Sequence, residues 1–261
     1  MQTPEWITAS TTEPARETAN VPGFGFPEWQ ESRRYVNEFG RSIKGVPAAL
    51  DYLDQRAIDM VPGGVAREHK AYLLLGYPGS GKSTIADVLK ARFRAAHMTA
   101  DDAKLIIPEY NGGRNTQDVH VESAGLIVAA TQRMMDRGDN IILETIGSNR
   151  NSVEGRLEKL KNAGYEVSII GLDVPKAIAM ERAVSRFRET GRAVPADLYD
   201  TLNPGEIYDR AKSSDGLTDF AKIIWTSEGW SVAEASGALE GLAEDLGKSQ
   251  ERLSTLGRRS R

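Results

Sequence analysis

The feature that most restricts the fold of this chain is a glycine-rich loop at residues 76–84. Its sequence, GYPGSGKST, fits the pattern G-x-x-x-x-G-K-[ST], and it lies between an apolar run and a helical pattern. Backbone N–H groups in such a loop turn inward around phosphate oxygens, and the following helix adds partial positive charge. The loop therefore predicts a nucleotide site whose contacts are Gly76, Pro78, Gly79, Ser80, Gly81, Lys82, Ser83 and Thr84.

Two side chains of this loop have expected roles of their own. Lys82 would bridge the outer phosphates of ATP or GTP, and the Ser83 hydroxyl would hold Mg²⁺. The loop alone does not separate kinases from ATPases, GTPases or motor domains.

Alternating strand and helix patterns follow from residue 70 onward. Strands are expected at residues 71–76, 97–100, 140–147, 165–174 and 220–226, the last strand, and helices at 82–95, 118–137, 152–162, 175–189 and 195–212. Ser231 and Glu234 predict a capping box that opens a C-terminal amphipathic helix. The pattern predicts an α/β fold of the P-loop NTPase type, with a mostly parallel sheet flanked by helices.

Residues 1–69 precede this pattern. They are expected to form an N-terminal arm and helical extension, with helices at about 28–39 and 47–60, ahead of a kinase domain at 70–261. The net charge of -4 argues against a general nucleic-acid binder, and the absence of cysteine excludes disulfides and thiolate metal sites. The first twenty residues contain no signal-peptide core and no run reaches the length of a membrane span, so a cytoplasmic protein is expected.

Carboxylates follow two of the predicted strands. Asp101 and Asp102 come after the second strand, where a kinase needs a base for the acceptor hydroxyl, although an aspartate there also caps a helix. Glu144 ends the apolar run NIILE of the third strand, where an acid lies near Mg²⁺ or its water shell; a solvated strand-end glutamate is the alternative.

The densest cationic stretch contains Arg182, Arg186, Arg188 and Arg192. Such arginines clamp transferring phosphates, or they form a charged outer helix face paired with neighbouring glutamates. His69 and His97 have no partners at metal-ligand spacing and are expected to be ordinary surface or boundary residues.

With these residues the chain resembles the zeta toxin family of P-loop kinases, the toxin half of epsilon–zeta toxin–antitoxin modules. The resemblance covers residues 71–229 and rests on the order and spacing of GYPGSGKST, ADDAKLIIPEYNGG, GDNIILET, DVPKAIAMERAVSRFRETGRAVP and AKIIWTSEG. It departs at Ala103, where the family has an aromatic or long residue, and at ETIGSN, where the family has a glycine-rich pattern.

The resemblance implies a role for each matching residue. Asp101 would be the catalytic base, with Asp102 as a reserve in the substrate pocket. Lys82 and Ser83 would bind nucleotide and metal, and Glu144 would lie in the substrate pocket. Arg186 and Arg192 would stabilise the transferred phosphoryl group.

The family's characterised toxins phosphorylate UDP-N-acetylglucosamine, so an ATP-dependent kinase acting on a hydroxyl of that nucleotide sugar is expected. Another small acceptor, such as a nucleoside, a dinucleotide or an antibiotic, stays open, as does a non-catalytic nucleotide-dependent binding module. The resemblance also implies an antitoxin protein. Three alternatives stay open for residues 1–69: they inhibit the site in cis, cap it or only pack against the sheet.

Overall fold

The computed structural model describes residues 47–107, 110, 119–147, 150–190, 194, 197–213 and 217–259. Its strands are β1 (Lys70–Leu75), β2 (Ala96–His97), β3 (Ile141–Thr145), β4 (Glu166–Asp173), β5 (Asp219–Thr226) and β6 (Gly229–Ala235). Its helices are α1 (Pro47–Asp59), α2 (Lys82–Phe93), α3 (Ala100–Lys104), α4 (His120–Arg137), α5 (Arg150–Asn162), α6 (Lys176–Thr190), α7 (Leu198–Thr201), α8 (Pro204–Lys212) and α9 (Leu242–Arg259).

The strands form one sheet in the order β2-β3-β1-β4-β5-β6. The first five run parallel, and β6 pairs antiparallel with β5. This confirms the predicted fold class, a mostly parallel sheet flanked by helices. Because parallel strands point the same way, the carboxyl ends of β2, β3 and β1 lie side by side at one edge, where ligands of such sheets bind.

Helices cover both faces of the sheet, which explains the nearly continuous apolar sequence of β1. Tyr72 and Leu74 pack in the same apolar cluster as residues of α2 and α9. Leu73 and Leu75 pack on the opposite face with residues of α1, α4, α5 and α8. The alternation of side chains along β1 therefore separates the α2 face from the α4 face.

Helix α1 is part of this core. Ala49, Leu53 and Ala57 recur every fourth residue, are fully buried and join the apolar cluster on the α4 face. Asp54 adds ion pairs to Arg133 and Arg137 of α4. The helix expected at 47–60 is thus present, whereas the helix expected at 28–39 lies outside the described residues. The division at residue 69 stays a prediction.

The C-terminal segment differs from the expectation. Ser231 and Glu234 lie within β6, opposite Ile224 and Lys222, so they do not cap a helix, and residues 220–226 are not the last strand. The Glu234 carboxylate instead accepts hydrogen bonds from Tyr208 and Lys212. Pairing with the open edge of β5 outweighs the local capping signal.

The single helix expected at 195–212 is also divided. Helix α7 ends at Thr201, and α8 begins anew at Pro204. Proline has no N–H to continue a helix, and the Asn203 side chain accepts the backbone N–H of Glu206 as an N-cap. This break puts α8 on the α4 face of the sheet.

Candidate active site

At two positions, the loop after β1 has a backbone conformation that only glycine tolerates. Gly79 and Gly81 have φ angles of 78° and 87°. A Cβ on Gly79 would lie 2.1 Å from the carbonyl oxygen of Ala179, and one on Gly81 would lie 2.6 Å from the Trp230 ring. The loop therefore fits closely between α6 and the β5–β6 hairpin.

Lys82 lies at the start of α2 and is almost fully buried. Its ammonium donates to the carbonyl oxygens of Gly76 at 2.9 Å and Tyr77 at 3.0 Å. The next residue, Ser83, is exposed on the first turn of α2. A buried ammonium and an accessible hydroxyl are thus presented by adjacent residues of the loop.

Two tyrosines support the outer side of the loop. The Tyr199 hydroxyl of α7 donates to the carbonyl oxygen of Pro78 at 2.8 Å. The ring of Tyr77 stacks on that of Tyr199 with centroids 5.9 Å apart. Sequence reasoning did not find Tyr199, because it follows the loop by more than a hundred residues and belongs to no local motif.

The acceptor side begins with Asp101 and Asp102 on α3, directly after β2. Asp101 has a side chain 29% exposed, and its Oδ1 lies 3.3 Å from the buried ammonium of Lys104. Asp102 Oδ2 accepts from the N–H and hydroxyl of Thr99 at 2.9 and 2.8 Å, which completes a capping box. Its Oδ1 accepts from Arg56 Nε at 3.1 Å. Structural contacts therefore engage both oxygens of Asp102.

Glu144 lies on β3 opposite Leu74 of β1, so its side chain shares the face that α2 covers. Its Oε1 lies 3.0 Å from Nε2 of His97, whose side chain is 8% exposed. His97 is a boundary residue, as expected, but it lies close to a carboxylate that the sequence did not indicate. Strand pairing sets His97 opposite Ile142, two residues before Glu144, and this contact is invisible in the linear sequence.

The arginines of α6 point in two directions. Ala179 and Ala183 both contact Gly79, and Arg186 continues the same helix face with Nε and Nη2 shielded from solvent. Arg182 instead stacks over Trp225, with its guanidinium 4.0 Å from the ring centroid. Burial lowers the pKa of Arg182.

Of the other two arginines in this stretch, Arg188 is exposed on α6, and Arg192 lies outside the described residues.

The residues fit a nucleotide and suit Mg²⁺. Within the described part of the chain, no cluster of three acidic, histidine or cysteine side chains forms a metal cage. Mg²⁺ at phosphate sites needs only one or two protein oxygens, because phosphates and water supply the rest. The exposed Ser83 hydroxyl and the Glu144 carboxylate, which lies on the α2 face, are donors of that kind.

A cavity of about 170 Å³ lies beside the loop at the same edge of the sheet. Its lining includes Tyr77, Asp173, Asn203 and Lys222, and excludes Asp101 and Glu144. The cavity therefore does not include the carboxylates that the sequence predicted for the acceptor. Among the described residues, none of the helices is long and apolar enough to cross a membrane.

A family model described as Zeta toxin matches residues 63–204, more than half of the chain. The chain belongs to the zeta toxin family. The match contains the phosphate loop, Asp101, Glu144 and the arginines of α6. The resemblance seen in the sequence is thereby confirmed, and the chain is a P-loop kinase of this family. No curated protein matches its sequence.

Solved structures share the fold of this zeta toxin family member at low sequence identity. A chain from the PezAT chromosomal toxin–antitoxin system of Streptococcus pneumoniae is 15% identical, with a TM-score of 0.56 over 82% of this chain and 98% of that one. A chain of the AvrRxo1-ORF1:AvrRxo1-ORF2 complex with sulphate ions is 15% identical, with a TM-score of 0.57 over 74% and 66%. A chain of the same complex with ATP is also 15% identical, with a TM-score of 0.54 over 73% of this chain and 66% of that one.

Proposed function

We propose that this chain transfers the γ-phosphoryl group of ATP to a hydroxyl of a small molecule, with UDP-N-acetylglucosamine as the acceptor. One observation carries the proposal: three neighbouring parallel strands end at the groups that such a transfer needs. The phosphate loop follows β1, Asp101 follows β2, and Glu144 lies on β3. A donor site and a carboxylate base therefore share one edge of the sheet.

The proposed reaction gives each group one task. Asp101 takes the proton of the acceptor hydroxyl, whose oxygen bonds to the γ-phosphorus while the bond to the bridging oxygen of ADP breaks. Glu144 binds the acceptor on the α2 face. Lys82 and Arg186, together with Arg192, neutralise the charge that develops on the transferred group and on the leaving ADP.

Mg²⁺, when bound, would neutralise negative charge on the phosphates of the nucleotide. We propose that the Ser83 hydroxyl holds it. This residue sits on the exposed first turn of α2, next to the lysine that contacts the loop. GTP is an alternative donor, and its competition with ATP is measured in the same assay as transfer.

The acceptor is tested with γ-labelled ATP and a panel of nucleotide sugars, nucleosides, dinucleotides and antibiotics, with the labelled product identified by mass. Label on UDP-N-acetylglucosamine supports the proposed acceptor, and label on another member moves the assignment to that compound. If the wild-type chain binds ATP and labels nothing, the non-catalytic binding module is the better description.

The base is tested with Asp101→Asn, because asparagine keeps an oxygen for Lys104 and loses the proton-accepting carboxylate. We expect turnover to fall by about 10²–10⁴-fold while ATP affinity is retained. Asp209→Asn, an exposed change on α8, is the matched control. Turnover of Asp101→Asn near that of the control would remove Asp101 from the mechanism.

The proposed protein partner is an antitoxin, since the family pairs with one in toxin–antitoxin modules and one similar structure comes from such a system. Inhibition in cis by the N-terminal extension is the alternative. Because Leu53 and its neighbours on α1 belong to the core, the test is a deletion of residues 1–46 that keeps α1. Higher turnover than the full chain supports an inhibitor, and unchanged turnover contradicts it.

A further inference from the structure

A histidine and a glutamate meet inside the sheet beside the proposed acceptor site. His97 Nε2 lies 3.0 Å from Glu144 Oε1, with side chains 8% and 20% exposed. His97 is the last residue of β2 and pairs with Ile142 of β3. Glu144 is two residues further along β3, so both side chains emerge on the α2 face. The imidazole therefore reaches the carboxylate from the amino-terminal side of the strand.

Stability alone is a weak explanation for this pair. Withdrawing a carboxylate and an imidazole from water costs free energy that their contact only partly offsets, and apolar residues of similar size often stabilise as well or better. The neighbours on the same face, Ile142 and Leu74, are apolar and buried. A polar pair in this apolar stretch, at the end nearest the phosphate loop, indicates a role in orienting Glu144.

We propose that His97 is a positioning residue that holds Glu144 for the acceptor. Its Nε2 and the Glu144 Oε1 are buried and lie 3.0 Å apart, and although they are not aligned as a hydrogen bond in this structure, a small side-chain rotation would let Nε2–H donate to Oε1. A glutamate side chain has three rotatable bonds, so fixing it before the acceptor arrives lowers the entropy lost on binding. A hydrogen bond to a charged group is also stronger than one between neutral groups. This inference rests on the proposed role of Glu144.

The contact itself is tested without any kinase assay. The chain has only three histidines, so ¹⁵N-histidine labelling gives a spectrum in which each imidazole is assigned by substitution. The proposal requires that Nε2 of His97 carries a hydrogen, and that Glu144→Gln shifts the signals of His97 more than those of His69. A neutral imidazole protonated only on Nδ1 would overturn it, because its Nε2 cannot donate to a carboxylate.

The positioning role is tested by kinetics with the acceptor that the wild-type chain labels. His97→Leu removes the donor, and we expect the KM for the acceptor to rise about 10-fold with the KM for ATP unchanged. His97→Gln, whose amide nitrogen can occupy a place similar to Nε2, should recover most of this loss. If His97 had only a structural role, His97→Leu would raise the KM for both the acceptor and ATP, or His97→Gln would not recover the loss.

A double-mutant cycle shows whether His97 acts through Glu144. If it does, adding His97→Leu to Glu144→Ala causes no further loss of kcat/KM for the acceptor. If the losses of kcat/KM from the two single substitutions multiply in the double mutant, the proposal is contradicted. A wild-type chain that labels no acceptor would instead overturn the proposed function and the acceptor role together, while the imidazole spectrum would still decide whether the contact exists.

Discussion

The adjacent carboxylates Asp101 and Asp102 should give opposite phenotypes when substituted. Asp102→Ala removes the capping box with Thr99, a loss of about 0.5–2 kcal/mol for such caps. It also removes the Arg56 ion pair, whose side chains are 34% and 20% exposed. A pair that accessible contributes about 0.2–1 kcal/mol. We therefore expect a loss of about 0.7–3 kcal/mol in the free energy of unfolding. The Tm should fall by about 2–4 °C for each kcal/mol lost.

Thermal unfolding followed by circular dichroism measures the stability, and transfer of labelled phosphate measures activity at a temperature where the variant stays folded. Asp102→Ala should keep most of its transfer, whereas Asp101→Asn loses it. Thr99→Ala removes the same cap from the other partner, so its effect on Tm should overlap with that of Asp102→Ala and not add to it. Lost transfer in a fully stable Asp102→Ala chain would refute this reasoning and make Asp102 the base.

Four further predictions concern the loop, helix α5 and the β5–β6 hairpin. Gly79→Ala should lower ATP affinity more than about 10-fold, since a left-handed backbone alone costs alanine about 1–2 kcal/mol and the new Cβ meets Ala179. Gly155→Ala, with open space around it in α5, should instead stabilise by about 0.5–1 kcal/mol in calorimetry. ATP should change the tryptophan fluorescence, and Trp230→Phe should remove most of the change, because that ring packs against the loop. The hydrogen bond from Lys212 lowers the pKa of Glu234. The destabilisation by Glu234→Gln should therefore be fully present above about pH 4.3 and disappear as the pH falls through the lowered folded pKa, as urea titrations across pH would measure.

The fold was largely predictable because its determinants are local. A strand buried on both faces has consecutive apolar residues in its sequence, and β1 has this pattern at Leu73, Leu74 and Leu75. The error at β6 has the opposite origin. Ser231 and Glu234 match a capping box at short range, yet the hairpin with β5 satisfies their backbone groups across the sheet. A local capping pattern does not determine the structure when the same segment can pair with an open strand edge.

The donor half of the site was predictable in the same way, because nine consecutive residues encode it. Gly79 and Gly81 are needed for a left-handed backbone conformation, and both glycines are part of the sequence motif itself. The acceptor half had weaker signals. Asp101 and Asp102 are adjacent, and only the family resemblance favoured Asp101 in the sequence, whereas in the structure the contacts of Asp102 with Thr99 and Arg56 distinguish them.

The arrangement of the proposed acceptor side depends on contacts between distant segments of the chain. Arg56 of α1 reaches Asp102 across 46 positions, and the two-residue strand β2 brings His97 to Glu144. Neither contact follows from a motif, because each depends on which helix or strand becomes a neighbour in the sheet. A family can therefore keep its phosphate loop while the contacts behind Asp102 and Glu144 change, and the same loop can serve different acceptors. Substitutions at His97 are accordingly expected to alter acceptor use before they alter ATP binding.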